Sequence, residues 1–361
     1  MNEHHIGLSF GRVEHWHDGL GEFSRQLGTE LALRAAALRR DRGIHLHYHL
    51  PRRWHGQFGR DVHYLPLHTL QRYWHWTSVR FALWHRLHQH IRLLPPSGTA
   101  LRVETVHDLN FLHLKSGSKR ERYRQRMARR LQGSAAVVAI TQHVAHDLAT
   151  QLPHLGTPVS VIHNGATDLT RAKARAIEGM GAEPYLLHIS RMAPSKNIEA
   201  ILAMASAWPS KPIVLAGATS SYTGEVQRMV AERKLANVTV RLDLDEAEKA
   251  WLYAHCEGFV FPSLAEGFGL PPIEAMHFGK PVFLSRLTSL PEVGGDVAHY
   301  FDSFDAAAMR AVVERGLAAH QQAGRPEALV QRARSFSWAR CAEEYLALYL
   351  RLLARGGTTA G

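Results

Sequence analysis

Cysteine is almost absent from this 361-residue chain: only Cys256 and Cys341 occur, far apart in sequence. That excludes a disulfide framework and points to a reducing compartment. No run of about 18 apolar residues occurs, so no transmembrane helix is expected. The N-terminus lacks the charged start and apolar core of a secretory signal. Acidic residues are scarce in one half only. Residues 1–150 hold 22 Lys/Arg against 11 Asp/Glu, whereas residues 151–361 hold 21 of each, so the net charge of +11 belongs to the first half. Histidine is skewed the same way, with 18 of 25 in the first 150 residues. Such asymmetry suggests an anionic partner, either nucleic acid or an acidic membrane surface, or a first half that is merely well solvated. The remaining composition, 45% hydrophobic, fits a globular protein, and the length suggests two domains.

What is present is a repeated alternation of apolar strands and helical patterns, which implies a parallel, doubly wound α/β sheet. Ile6–Phe10 is a strand, followed by Gly19-Leu-Gly21 and a helical pattern through Phe23, Leu27, Leu31 and Leu33. Glycines there let backbone amides approach a phosphate at a helix start, or make a plain tight turn. Ile44–Leu50 carries His45, His47 and His49 on one strand face, expected to be exposed or interfacial rather than metal-binding. Residues 72–94, rich in aromatic and basic residues, are expected to form a helix. A second basic helix is expected over Lys119–Arg130, with Arg122, Arg126 and Arg130 at spacing four beside Tyr123, Met127 and Leu131. Both have the composition for docking on anionic lipid, and both equally fit a helix with one buried and one solvated face. Arg102–Val106 is a strand ending in His107-Asp108, where open α/β sheets bind ligands.

Residues 1–166 thus read as one domain, 167–184 as a linker, 185–337 as a second domain and 338–361 as a final helix and tail. In the second domain, Tyr185–Ser190 is a strand. Arg191 and Lys196 follow in a loop that leads into a helix at about Ile198. Two cations beside a helix dipole suit a diphosphate. Phe259–Pro262 ends another strand. Glu266-Gly-Phe-Gly-Leu-Pro-Pro-Ile-Glu274 follows, with the prolines opening a helix and Glu274 expected in its first turn. A carboxylate there can accept both hydroxyls of a ribose, and Glu266 beside the amides of Phe268 and Gly269 suits a polyhydroxylated sugar. Ser289-Leu-Pro-Glu292 has the spacing of a capping box or of a turn. Facing each other across a cleft, two such domains would bind a nucleotide-sugar.

Three stretches carry a more specific signal: Tyr-Leu-Leu-His-Ile-Ser-Arg-Met-Ala-Pro-Ser-Lys-Asn (185–197), Phe-Val-Phe-Pro-Ser-Leu-Ala-Glu-Gly-Phe-Gly-Leu-Pro-Pro-Ile-Glu-Ala-Met (259–276) and Ser-Leu-Pro-Glu-Val (289–293). With Val-Ile-His-Asn-Gly (161–165) and Phe-Ser-Trp (336–338), they make the chain resemble family 4 glycosyltransferases of the GT-B fold. The first domain matches more loosely, at Gly19–Gly21 and Val-His-Asp-Leu (106–109). Its Gly-Leu-Gly replaces the adjacent glycines of many relatives, so either glycine could face the phosphate. The resemblance implies retaining transfer of a hexose from a UDP- or GDP-sugar, with no cofactor or bound metal. It implies that Arg191 and Lys196 hold the diphosphate, Glu274 the ribose, and Glu266 with Phe268 and Gly269 the sugar. His107 would lie near the transferred sugar, and the helix from Trp338 would cross back to the first domain. His-Asp-Leu-Asn-Phe-Leu (107–112) is similar to mannosyltransferases of surface-polysaccharide or lipopolysaccharide pathways, which implies GDP-mannose as first choice of donor, a glycan or lipid-linked acceptor, and the cytoplasmic face of the membrane. A phosphorylase or an epimerase on the same fold is the enzymatic alternative. A nucleic-acid-binding protein is the non-enzymatic one, without a recognition motif to support it.

Overall fold

The computed structural model describes residues 3–16, 19–111, 116–181 and 183–357. Leu112, within the 107–112 stretch, and tail residues 358–361 lie outside the described residues. The chain divides into two units: residues up to Gly165 together with Ser337 onward, and Ala166–Phe336.

The first unit contains seven parallel strands: β1 (His4–Ser9), β2 (Ile44–Leu50), β3 (His63–Pro66), β4 (Leu83–Arg86), β5 (Leu101–Val106), β6 (Ala136–Ala139) and β7 (Val159–Val161). Their order is β3-β2-β1-β4-β5-β6-β7. Helices α1 (Gly19–Arg42), α2 (Gly117–Leu131) and α3 (Gln142–Gln151) belong to this unit. The second unit has six parallel strands: β8 (Leu186–Ile189), β9 (Ile213–Gly217), β10 (Val238–Leu242), β11 (Gly258–Phe261), β12 (Val282–Ser285) and β13 (His299–Phe301). They are ordered β10-β9-β8-β11-β12-β13. Its helices are α4 (Ile198–Ala207), α5 (Thr223–Glu232), α6 (Glu246–His255), α7 (Leu270–His277), α8 (Leu290–Gly294), α9 (Ala306–His320) and α10 (Arg325–Arg334). A final helix, α11 (Trp338–Gly357), returns to the first unit, where Trp338, Tyr345 and Tyr349 share a core with Phe23, Leu27 and Leu31 of α1.

Strand alternation sorts the first sheet's side chains into two layers. Ile44, Leu46, Tyr48 and Leu50 of β2 and Leu83 of β4 face the core shared with α1 and α11. Thr105 and His85 face the same way. The His85 ring lies between Tyr349 Oη at 2.6 Å and Thr105 Oγ1 at 2.8 Å, and Thr105 Oγ1 lies 2.8 Å from Tyr345 Oη. Val106, on the opposite layer, packs with Met127 and Leu131 of α2.

The other face of β1 and β2 carries the histidines. They are not on an exposed strand: β2 is interior, His47 and His49 are buried, and His45 is half-buried. His5 Nδ1 lies 2.9 Å from His47 Nε2. His49 donates Nε2–H to Gln71 Oε1 at 2.9 Å and accepts at Nδ1 from Ser9 Oγ at 3.0 Å. The cover over this face is the segment expected to be a helix. Residues 73–82 are instead irregular, and 83–86 form β4. Phe81 packs edge-on against His47, while His75 and Trp84 close over His49. Gly7 stands opposite Trp84 in register, and a Cβ at Gly7 would sit 2.0 Å from the indole, so a glycine is required for that ring to cross the strand. The exposure of 74–76 runs out, in, out, the period of an extended chain rather than of a helix.

Burial depresses His49 and His85 to about 3. Unfolded, these rings protonate below about 6.5. Stability is therefore complete above that pH and is lost as pH falls from about 6.5 toward about 3, by up to about 1.4 kcal/mol per pH unit for each ring. Thermal unfolding at constant ionic strength is expected at a lower temperature at pH 5.5 than at pH 7.5. An unchanged or higher midpoint at pH 5.5 would contradict this assignment.

Two further expectations are corrected here. Arg130 does not lie on a solvated row of α2, because it turns inward to Glu104, whose side chain is 1% exposed. The intended linker, 167–184, packs into the second unit: Leu169 and Ile177 are buried, and Arg175 pairs with Asp245 and Glu248 of α6.

Candidate functional site

In the second sheet the chain steps from β8 to β9 on one side and later returns to β11 on the other. The C-terminal ends of β8 and β11 therefore flank a topological switch point, the usual ligand crevice of an open α/β sheet. Two loops meet there, 190–197 after β8 and 262–269 after β11. Their backbones are tied directly. Leu264 N donates to Ser195 O at 2.8 Å, and Ser263 Oγ donates to the same oxygen at 3.0 Å. Ser220 Oγ holds Met192 O at 2.6 Å from the β9 side. At Gly217 a Cβ would lie 1.7 Å from Ser190 O, so only glycine lets β9 pass this close to the first loop.

Lys196 ends a short 3₁₀ turn, Pro194–Lys196, and Asn197 takes a left-handed conformation (φ 53°) to start α4. That sharp turn aims the ammonium across the crevice. Lys196 Nζ reaches Glu266 Oε1 at 2.5 Å, with both side chains largely buried, and lies 5.6 Å from the centre of the Phe261 ring. Arg191 is exposed and makes no ion pair or side-chain hydrogen bond among the described residues. Beneath them His188 is fully buried. The Val260 carbonyl, 2.9 Å from Nδ1, can only accept, so the proton is on Nδ1. Nε2 then accepts from Ser190 Oγ at 2.7 Å. Burial lowers this ring to about 4, keeping it neutral near pH 7.

The second loop is held by Thr288, which sequence reading left unassigned, and by Ser289, which it read as a helix cap or a turn. Thr288 Oγ1 accepts from Glu266 N at 3.0 Å. The buried Ser289 does not cap a helix with its side chain. Its hydroxyl instead donates to Phe268 O at 2.7 Å, with Glu266 O at 3.2 Å. Phe268 is buried edge-on against Phe336 at 5.5 Å. Gly269 (φ 120°) caps α7, and a Cβ there would also press on Leu290. Pro271 and Pro272 remove two of the four amides that a helix start ordinarily leaves without intrahelical partners, so the start of α7 keeps only the amides of Gly269 and Leu270. Glu274 stands at the fifth position of α7, not in its first turn. Its side chain points to Tyr253 of α6, whose hydroxyl donates to Glu274 Oε2 at 2.7 Å. Tyr253 had no sequence signal, since nothing local links α6 to α7.

The residues expected from the first domain are described within the first unit. Gly19 and Gly21 are not in a loop but open α1. Gly19 is exposed, while Gly21, with Arg12 and His88, lines a pocket of about 190 Å³. This pocket lies at the β1/β4 switch point of the first sheet. His107 follows β5 and is buried. It donates Nε2–H to Leu87 O at 2.9 Å and stands edge-on to Phe23, with ring centres 4.5 Å apart. Burial lowers it to about 4, so it is a neutral, fixed ring near pH 7.

Two parallel sheets with alternating helices, and a last helix that returns to the first unit, define the GT-B fold, the fold of sucrose-phosphate synthase from Thermosynechococcus elongatus (TM-score 0.74, 19% identity, 98% of this chain and 100% of that one). Residues 170–334, nearly all of the second unit, match the family model of glycosyl transferases group 1, so this unit is a glycosyltransferase group 1 domain. The chain is similar to O-antigen chain mannosyltransferase B of Escherichia coli, 33% identical over 46% of this chain and 45% of that protein. It is also similar to the serotype-specific mannosyltransferase WbdA of Escherichia coli, 35% identical over 47% of this chain and 22% of that protein. The match thus spans less than half the length of either relative.

Proposed function

We propose that the protein is a retaining glycosyltransferase that moves a hexose from a nucleotide-sugar, first choice GDP-mannose, to a glycan or lipid-linked acceptor in surface-polysaccharide synthesis. The observation that carries this reading is the meeting of Lys196 and Glu266 at 2.5 Å over the switch point. In a nucleotide-sugar, one C–O bond joins the diphosphate to the anomeric carbon, so the hydroxyls on the neighbouring ring carbons lie only a few bonds from it. A cation for the first and a carboxylate for the second must therefore stand side by side. The similarity to O-antigen mannosyltransferases supports the sugar and the pathway.

In this mechanism Lys196 and Arg191 stabilise the charge that builds on the departing diphosphate, so no metal or cofactor is required. Glu266 and the Phe268 and Gly269 amides orient the sugar, and Glu274, aligned by Tyr253, receives the ribose hydroxyls. Neither carboxylate serves as a covalent nucleophile: the leaving diphosphate helps remove the acceptor's proton on the same face of the sugar. His107, neutral near pH 7, contributes polarity to the acceptor side rather than a proton.

Among the described residues no helix is long and apolar enough to cross a membrane. In this reading the first unit meets a lipid-linked acceptor at the cytoplasmic face of the membrane.

The test is turnover of a panel of UDP- and GDP-sugars with a lipid-linked saccharide primer, the product's anomeric configuration being read by NMR. GDP-mannose is expected to give the largest rate, with an α-linked product. Release of sugar 1-phosphate with added phosphate would replace this reading by a phosphorylase, and an acceptor-independent change of the nucleotide-sugar would replace it by an epimerase.

A further inference from the structure

We propose that the loop from Leu70 to Trp76 docks the first unit on an anionic bilayer by seating its aromatic side chains at the headgroup boundary. The proposal rests on the lipid-linked reading of the acceptor and names the surface that serves it.

The loop's inner side is the cover over the buried histidines: His75 is 4% exposed and donates Nδ1–H to Leu94 O at 2.8 Å. Its outer side is the unusual part. Leu70 is 72% exposed, Tyr73 69%, Trp74 69% and Trp76 66%, and Leu94, whose amide donates to Gln71 O, adds a further 40%. These are five of the ten large hydrophobic side chains exposed among the described residues, gathered on one short loop and its neighbour. The loop is anchored rather than free-standing. Tyr73 N and Trp74 N both donate to Leu70 O, and Arg12 Nη2 donates to Thr69 Oγ1 at 2.8 Å.

The charge around it has one sign. From residue 62 to residue 103 the sequence contains no Asp or Glu, but has Arg72, Arg80, Arg86, Arg92 and Arg102. Arg72, Arg80 and Arg92 are exposed, and the Arg72 guanidinium lies over the Tyr73 ring at 4.5 Å. Tryptophan and tyrosine beside arginine, in a stretch of sequence without a carboxylate, match the amphipathic depth profile of an anionic leaflet. A second copy of this cationic unit would be repelled from the same patch. A sugar chain would use the aromatic faces but gain nothing from Leu70, Leu94 or the positive field. The first of the two expected basic helices is this loop; in the second, α2, Arg130 turns inward while Arg122 and Arg126 stay exposed.

The test is sedimentation with vesicles of phosphatidylcholine alone or mixed with phosphatidylglycerol, using the full chain. Wild type is expected to bind the anionic vesicles selectively, and acyl chains brominated near the headgroup are expected to quench its tryptophan emission. The W74S/W76S variant is expected to bind at least about tenfold more weakly, with thermal unfolding and nucleotide-sugar binding unchanged. Equal vesicle binding by this variant would overturn the proposal. So would wild-type binding without quenching, a loss of self-association instead of a loss of vesicle binding, or wild-type binding to a soluble polysaccharide in place of vesicles. Failure of sugar transfer from every nucleotide-sugar of the panel to the lipid-linked primer, with vesicle binding intact, would refute the enzymatic reading and leave the docking loop standing.

Discussion

Lys196→Ala and Glu274→Ala are each expected to abolish measurable sugar transfer while the protein stays folded. Lys196 supplies a fixed positive charge where the leaving diphosphate gains negative charge, and a preorganised charge of this kind is worth about 10²–10³ in kcat. Its removal does further damage here. Glu266, 2.5 Å away and 12% exposed, loses its counter-charge and stands as a bare carboxylate beside the incoming diphosphate. Lys196→Ala is therefore expected to lower kcat/KM by more than about 10³. Lys196→Arg is expected to retain some activity, because the longer guanidinium can still meet Glu266. Glu274 acts on the other end of the donor, so in its variant nucleotide binding is expected to be lost together with transfer. Tyr253→Phe, which removes only the hydroxyl that aligns Glu274 Oε2 at 2.7 Å, is expected to show a smaller loss of the same kind. Steady-state kinetics with nucleotide binding measured by calorimetry separates these outcomes. Full activity in Lys196→Ala and Glu274→Ala would sink the assignment of the site.

The largest stability effect is expected at Glu104. Arg86 and Glu104 stand opposite each other in the β4–β5 register, and Arg86 Nε donates to Glu104 Oε1 at 2.6 Å. Arg130 of α2 approaches the other carboxylate oxygen at 3.5 Å. The three side chains are 8%, 1% and 14% exposed. One carboxylate thus separates two largely buried guanidiniums. Burial, with repulsion from Arg86 next, lowers Arg130 to about 10, and that still leaves it charged near pH 7. Glu104→Ala removes the shared counter-ion, and about 3–5 kcal/mol of stability should be lost from the first unit. Glu104→Gln keeps an acceptor and is expected to lose less. Urea unfolding followed by near-ultraviolet circular dichroism would register the change. An unaltered transition in Glu104→Ala would show that the guanidiniums find other partners or water.

The legible parts of this protein were those with short-range causes. Apolar runs of four to six residues ending in polar loops identified β1, β8, β9 and β11, because a strand buried on both faces reads as a nearly continuous apolar run. Lys196 and Glu266 could be picked out as candidates because each follows a strand, and Glu274 because it lies eight residues beyond Glu266, although the structure places it past the first turn of α7. The segment 72–94 could not be read correctly, since its aromatics suit a helix face as well as an extended cover. What decides is the histidine face that it closes and the space that Gly7 leaves for Trp84. Ser289 was similarly ambiguous. A serine three residues before a glutamate can cap a helix, and only the arrival of Phe268 O at 2.7 Å directs its hydroxyl elsewhere.

The sequence by itself determined the α/β alternation, the positive first half and the identity of the residues offered at two strand ends. Those follow from local periodicity and side-chain chemistry. The tertiary structure decided which charges meet: Lys196 with Glu266, Glu274 with Tyr253, and Arg130 with Glu104 rather than with solvent. It also decided which aromatics of residues 70–81 are buried and which are left outside. Charge pairing and burial depend on strands far apart in the chain being brought side by side, and a strand order such as β10-β9-β8-β11-β12-β13 is set by packing across the sheet, not by neighbours in sequence.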